Sequence, residues 1–163
     1  MRAHLAYLWY VLVHKYYVFI AGRALGVPVW QLLVHDLSKF SRAEWGPYAA
    51  IKPYFGRFGE ARLELVTAFN AAWEHHWTNN PHHPEHWAGG DRAAMLMAMP
   101  DIYVREMVAD WYGAGMAQGK PDIIGWYIAG RGHRKLHATS QAHAELYLRA
   151  LAGLGLIEGA ERL

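Results

Sequence analysis

Titratable side chains stand inside apolar, helix-patterned stretches at four separate places in this chain, and any fold that buries those stretches must accommodate them. His14 lies among Val11, Val13, Tyr17 and Val18. The pair His35-Asp36 follows the run Val29, Trp30, Leu32, Leu33, Val34. His76 continues the stripe Leu65, Phe69, Ala72, which repeats at helical spacing. Asp110 shares a helical face with Tyr103, Met107 and Ala114. A carboxylate is costly to bury unless it is paired or coordinates a metal, and a buried imidazole needs a partner. Taken singly, each is compatible with an ordinary satisfied core residue; an ordered set on four elements points to a shared site.

The rest of the pattern is helical. A first helix runs from about Arg2 to Ala21 and ends near Gly22 or Gly26. Pro28 suits the first turn of a second helix carrying Val29 to Lys39. Ser41 and Glu44 have capping-box spacing and start a short third helix that stops before Pro53. A long helix follows from Glu60 to Trp77, then a Pro-, Gly- and Asn-rich loop from Asn79 to Gly90. Asp91 caps a short helix to Met99, and Pro100 opens another through Ala117. Gly119 to Gly132 reads as irregular or as a short hairpin, and a helix from Ser140 to Leu154 closes the chain. β-Branched alternation is absent over any convincing length, and no repeat or linker divides the 163 residues. The expected fold is all-α, a single domain over 1–163 built as a compact bundle of about six to seven helices.

The stretch Leu5 to Ile20 is nearly all apolar, but His14 and Lys15 interrupt it before the roughly 18 residues a membrane span requires. It reads as a buried helix. With 53% hydrophobic and 18% charged residues, disorder is excluded. A net charge of +2 with no Lys/Arg run argues against specific nucleic-acid binding. The absence of cysteine removes disulfides, thiolate zinc sites and cysteine nucleophiles, and fits a cytoplasmic location.

Histidine is over-represented: five of eleven fall between His75 and His86, internal to the chain and interleaved with other residues, unlike a tag. Within Glu74-His75-His76, helical phase favours His76; His82 and His83 stay open alternatives, with a preference for His83. His4, His133, His137 and His143 are assigned surface or packing roles.

These residues resemble the pattern of the HD-domain superfamily of metal-dependent phosphohydrolases: a histidine on one helix, a His-Asp pair on a later one and a distal aspartate. Here those are His14, His35-Asp36 and Asp110. The stretch from His35 to Lys39 is similar to the His-Asp-x-x-Lys sequence of the two-metal branch that cleaves cyclic dinucleotides. The longer motifs His35-Asp36-Leu37-Ser38-Lys39-Phe40, Glu74-His75-His76 with Asn80, and His82-His83-Pro84-Glu85-His86 resemble a small phage and bacterial family described only as a domain of unknown function. That likeness extends to Asp110-Trp111 and Leu136-His137.

The resemblance implies that His14, His35, Asp36 and Asp110 bind one divalent ion, with Asp36 bridging to a second held by His76 and His83. His75, His82 and His86 are alternative ligands. Imidazole and carboxylate donors suit Mn, Fe, Co, Ni or Zn. Lys39 would hold a phosphate oxygen, or else be a solvated helix end. Glu74 and Glu85 would do general acid–base work or orient a ligand imidazole. The implied activity is hydrolysis of a nucleotide or other small phosphate ester by a metal-activated water, without nucleic acid or membrane as partner; a homo-oligomer is compatible. The alternatives are a di-iron oxygenase of HD type, and a non-enzymatic helical accessory protein stapled by its metal.

Overall fold

The longest helix, α1 (Arg2–Ala24), is the strut on which the other elements are arranged. Its main partner is α5 (Asp101–Ala117). The two cross closely at Gly113, where a Cβ would stand 2.9 Å from the His14 carbonyl oxygen and 3.0 Å from the Val18 nitrogen. That contact sets Asp110, one turn earlier on α5, against His14. In the computed structural model, which describes residues 2–88, 96–134 and 136–163, the remaining helices are α2 (Val29–Val34), α3 (Trp45–Ile51), α4 (Leu63–Asn79), α6 (Ile123–Gly130) and α7 (Ala138–Gly153). No strand occurs among the described residues, so the all-α expectation of six to seven helices holds.

Two apolar clusters form on α1. Its C-terminal half (Val18, Ala21), with Leu25 just beyond its end, joins α5, α6 and α7 through Met107, Val108, Ile124 and Leu148. Its N-terminal half (Tyr7, Tyr10, Val11) packs on Tyr48 and Ala49 of α3 and Ala72 of α4. Each fully buried aliphatic side chain contributes roughly 1.5–3 kcal/mol. His14 lies between Val11 and Val18, at the junction of the clusters, and the polar site is built there.

Several local expectations change. The second helix does not run to Lys39. It stops at Val34, His35 is extended (φ −47°, ψ 126°), and Asp36 takes a left-handed conformation with φ 60°, followed by a 3-10 turn over Leu37–Phe40. On an unbroken helix adjacent side chains would diverge by about 100°; the break lets His35 and Asp36 converge. The Ser41/Glu44 capping box does not form, because the Glu44 carboxylate is buried and accepts hydrogen bonds from histidines instead. The stretch read as irregular or a hairpin contains α6, capped by Asp122, whose side chain accepts from the Gly125 amide. α4 starts at Leu63, after a separate 3-10 turn at Phe58–Glu60. The short helix expected from Asp91 lies mostly outside the described residues, and 96–100 carry none. The first helix is not buried all round: Leu5, Trp9, Leu12, Tyr16 and Phe19 are exposed. Among the described residues, no helix is long and apolar enough to cross a membrane.

Candidate metal centre

Four donors from three regions meet at the junction of the two clusters. His14 comes from α1, His35 and Asp36 from the break after α2, and Asp110 from α5. His14 Nε2 lies 3.1 Å from Asp36 Oδ2 and 3.1 Å from Asp110 Oδ1. His35 Nε2 lies 3.3 Å from the former oxygen, 3.4 Å from the latter, and 3.4 Å from His14 Nε2. At metal–ligand bonds of about 2.0–2.1 Å, ligand atoms stand about 2.8–3.0 Å apart on adjacent octahedral positions and about 3.3–3.4 Å apart on a tetrahedron. The spacings observed fall in that interval.

A second group shares the same aspartate. Asp36, His76, His82 and His83, all buried, bring one donor atom each within 4.8 Å of one another. Asp36 Oδ1 faces His76 Nε2 at 3.3 Å and His82 Nε2 at 3.5 Å. Asp36 Oδ1, His82 Nε2 and His83 Nε2 are buried without a hydrogen-bond partner among the described residues. Leaving such atoms unsatisfied costs about 1–3 kcal/mol each. A cation would satisfy all three with the lone pairs they present, so the residues fit a metal.

Two buried carboxylates orient the imidazoles. Glu106 of α5 accepts from His35 Nδ1 at 2.8 Å and from Gln31 Nε2 at 2.5 Å. Glu44, just before α3, accepts from His76 Nδ1 and from His75 Nδ1, both at 2.8 Å. A proton fixed on Nδ1 leaves Nε2 as the free lone pair, the usual support for a metal-bound histidine. Sequence reasoning missed both. Glu106 was detectable, since it precedes Asp110 by four residues and so shares its helical face. Glu44 was concealed by its capping-box spacing from Ser41.

Lys39 is buried rather than solvated, with Nζ 2.5 Å from Asp36 Oδ2. Lys15 donates to the Leu33 and His35 carbonyls and so pins the end of α2 to α1. The electrostatics follow from burial and mutual charge. Burial would raise the Asp36 carboxyl, but His35, Lys39 and His76 outweigh it and hold it well below the carboxylate range. Asp110 is likewise held low against burial, by His14 and His35. Burial opposes charge on His35 and His76 too, yet Asp36 and the neighbouring carboxylates raise both above the ordinary imidazole range. His82 is pushed down to about 3 by burial and by His35, and His83 well down by burial and His82.

The remaining candidates divide. His82 and His83, read as alternatives, enter the site together. His75 reaches only Glu44, with its side chain 40% exposed. His86 points its Nδ1 at the Trp77 and Thr78 carbonyls. Glu74 is exposed and away from the donors, so His75, His86 and Glu74 are not part of the centre. Glu85 is exposed but lines the adjoining cavity. Of the histidines assigned elsewhere, His4 accepts from Trp45 Nε1, His137 accepts from the Thr139 amide at the start of α7, His143 pairs with Asp101, and His133 lines the cavity.

That cavity, of about 940 Å³, has His14, Lys39, His76, His83 and Asp110 at one side. The rest of its lining is chiefly aromatic and aliphatic, including Phe55, Phe69, Trp73, Trp111 and Trp126, with Lys120 and Arg134 also present.

Fold and site together define an all-α protein with buried histidine–carboxylate groups able to hold a metal ion. The chain belongs to DUF5662, a family of unknown function, which it matches over residues 3–149, a span containing every donor named above. No curated protein and no solved structure matches it.

Proposed function

We propose that this protein is a two-metal phosphohydrolase acting on a nucleotide or other small phosphate ester, in the manner of the HD-domain enzymes it resembles. The observation carrying this reading is that the two oxygens of Asp36 face different donor groups, Oδ2 toward His14 and His35 and Oδ1 toward His76 and His82. His14, His35, Asp36 and Asp110 would hold one divalent ion, and Asp36, His76, His82 and His83 the other. Bound there, such ions supply Lewis-acid stabilisation of phosphoryl charge and a water of lowered pKa.

The chain's own residues supply the rest. Glu106 and Glu44 keep the Nδ1 protons of His35 and His76 in place, so that neither imidazole turns away. Lys39 lines the cavity beside Asp36 and offers an ammonium to a phosphate oxygen. The aromatic wall receives the organic part of the substrate and excludes water. Of the two carboxylates singled out in the sequence for acid–base work, Glu85 is the one that lines the cavity and can protonate a leaving group.

The test is a panel of nucleotides and generic phosphate esters, assayed for phosphate release with the metal-stripped protein reloaded with Mn, Fe, Co, Ni or Zn. Metal-dependent release that disappears in Asp36→Ala is expected. A protein carrying two ions that hydrolyses nothing under any metal refutes the proposal, and substrate-dependent oxygen uptake would identify the oxygenase instead.

A further inference from the structure

The polar centre uses one face of α1 and the end of α2; their outer faces have no role in it. On α1, Leu5, Trp9, Leu12, Tyr16 and Phe19 recur at helical spacing and are all exposed, Trp9 to 71%. On α2 and the turn after it, Trp30, Leu33, Val34 and Leu37 are exposed as well, Trp30 to 66%. The two strips adjoin. Lys15 lies three residues after Leu12 and four before Phe19, and its ammonium is bonded to the carbonyls of Leu33 and His35. Between Pro28 and Phe40 the charged side chains, Asp36 and Lys39, are both buried. Within the combined face the one charge is thus the half-buried Lys15, bonded to those carbonyls, while the exposed Arg2 and Arg23 stand at the two ends of the α1 strip.

We propose that this face is where a second copy of the chain docks. A helix apolar on all sides belongs in an interior, and a contiguous apolar face of this extent on a folded domain marks an interface. At about 150–250 Å² for a whole aromatic side chain, the exposed fractions leave roughly 1,000 Å² of apolar surface here, above the about 800 Å² per partner of a standard interface. A two-fold axis would set this face against itself. The face keeps its charges to the ends of the α1 strip apart from Lys15, whose ammonium is already bonded, and its Trp, Tyr, Phe and Leu content with charge confined to the rim is that of a homodimer core. The consequence reaches the site: α2 has only six residues and ends at His35, so covering its outer face braces the segment that delivers His35 and Asp36.

Because the chain contains no cysteine, each introduced one is unique. Sedimentation equilibrium of the intact protein should give twice the 18.5 kDa chain mass at micromolar concentration. Trp9→Glu and Leu33→Glu should each weaken association at least about 100-fold, about 2.7 kcal/mol or more at 1.36 kcal/mol per tenfold, with helicity unchanged. Leu146→Glu, at an exposed leucine of α7 outside this face, should leave the dimer intact. Single cysteines at Leu5, Trp9, Leu12, Tyr16 and Phe19 keep the proposal testable if the glutamate variants misfold: at least one should form a disulfide-linked dimer under mild oxidation, and cysteine at Leu146 should not. A wild-type protein that stays monomeric at 100 micromolar overturns the proposal, as does failure of all five cysteines to cross-link. Monomers that float with phosphatidylcholine–phosphatidylglycerol vesicles would assign the face to a lipid surface, and also overturn it.

Discussion

Replacing Asp36 by Asn in the metal-free protein isolates the electrostatic logic of the centre. Asn keeps the shape of the side chain and tolerates the left-handed backbone at φ 60°, so the change is chiefly the loss of one negative charge. Lys39 is only 7% exposed, and its ammonium rests on Asp36 Oδ2 at 2.5 Å. Removing one partner of a buried ion pair costs about 3–5 kcal/mol, because the other charge is left without compensation. At about 2–4 °C per kcal/mol for a chain of this size, the melting temperature should fall by roughly 6–20 °C. Urea and thermal unfolding in chelator at pH 7 measure this. The double variant Asp36→Asn/Lys39→Met should regain more than half of the loss, since the stranded ammonium is gone. An Asp36→Asn protein within about 1 kcal/mol of wild type, or a double variant no more stable than the single, would refute the reasoning.

Asp36→Ala should abolish stoichiometric metal binding while circular dichroism shows most helicity retained, because the apolar clusters do not include Asp36; metal kept at full stoichiometry contradicts this. Glu106→Gln should lower metal affinity about 10–100-fold by calorimetric titration, whereas His75→Ala, which removes a contact to Glu44 alone, should change it far less. In chelator, stability should be greatest near pH 6.5, the ordinary imidazole value. Below it, unfolding releases His82 and His83 from their depressed values, takes up protons and becomes easier, and the low-held Asp36 and Asp110 deepen the loss once the ordinary carboxylate range is reached. Above it, the raised His35 and His76 lose their protons and the stability those protons bring; a monotonic rise in unfolding free energy from pH 5 to 9 would contradict the assignment.

The donors were legible because each breaks a pattern. His14, His76 and Asp110 interrupt apolar stripes of period 3.6, and in the structure the interrupted faces are those that meet. The local geometry at His35-Asp36 was not legible, since the run from Val29 to Lys39 holds no glycine or proline to signal a break. Its left-handed conformation goes with partners distant in sequence, His14, His76 and His82, which gather around the Asp36 carboxylate. Glu44 shows the opposite failure: a valid local signal, the capping box, gives way to a tertiary contact with His75 and His76. α6 was missed because Gly125 and Gly130 dilute its helical pattern, although the Asp122 cap was there to be read. The exposed stripe of α1 escaped for a simpler reason: a helix apolar all round gives no sign in its sequence of which face remains uncovered.

The central claim is that a shared carboxylate, Asp36, lets imidazoles and carboxylates from distant parts of the chain hold two cations. Plasma mass spectrometry of the purified chain, loaded with a divalent transition metal and freed of excess, tests it most directly. Two ions per chain are expected, falling below one in Asp36→Ala. No bound ion under any of Mn, Fe, Co, Ni or Zn would contradict it.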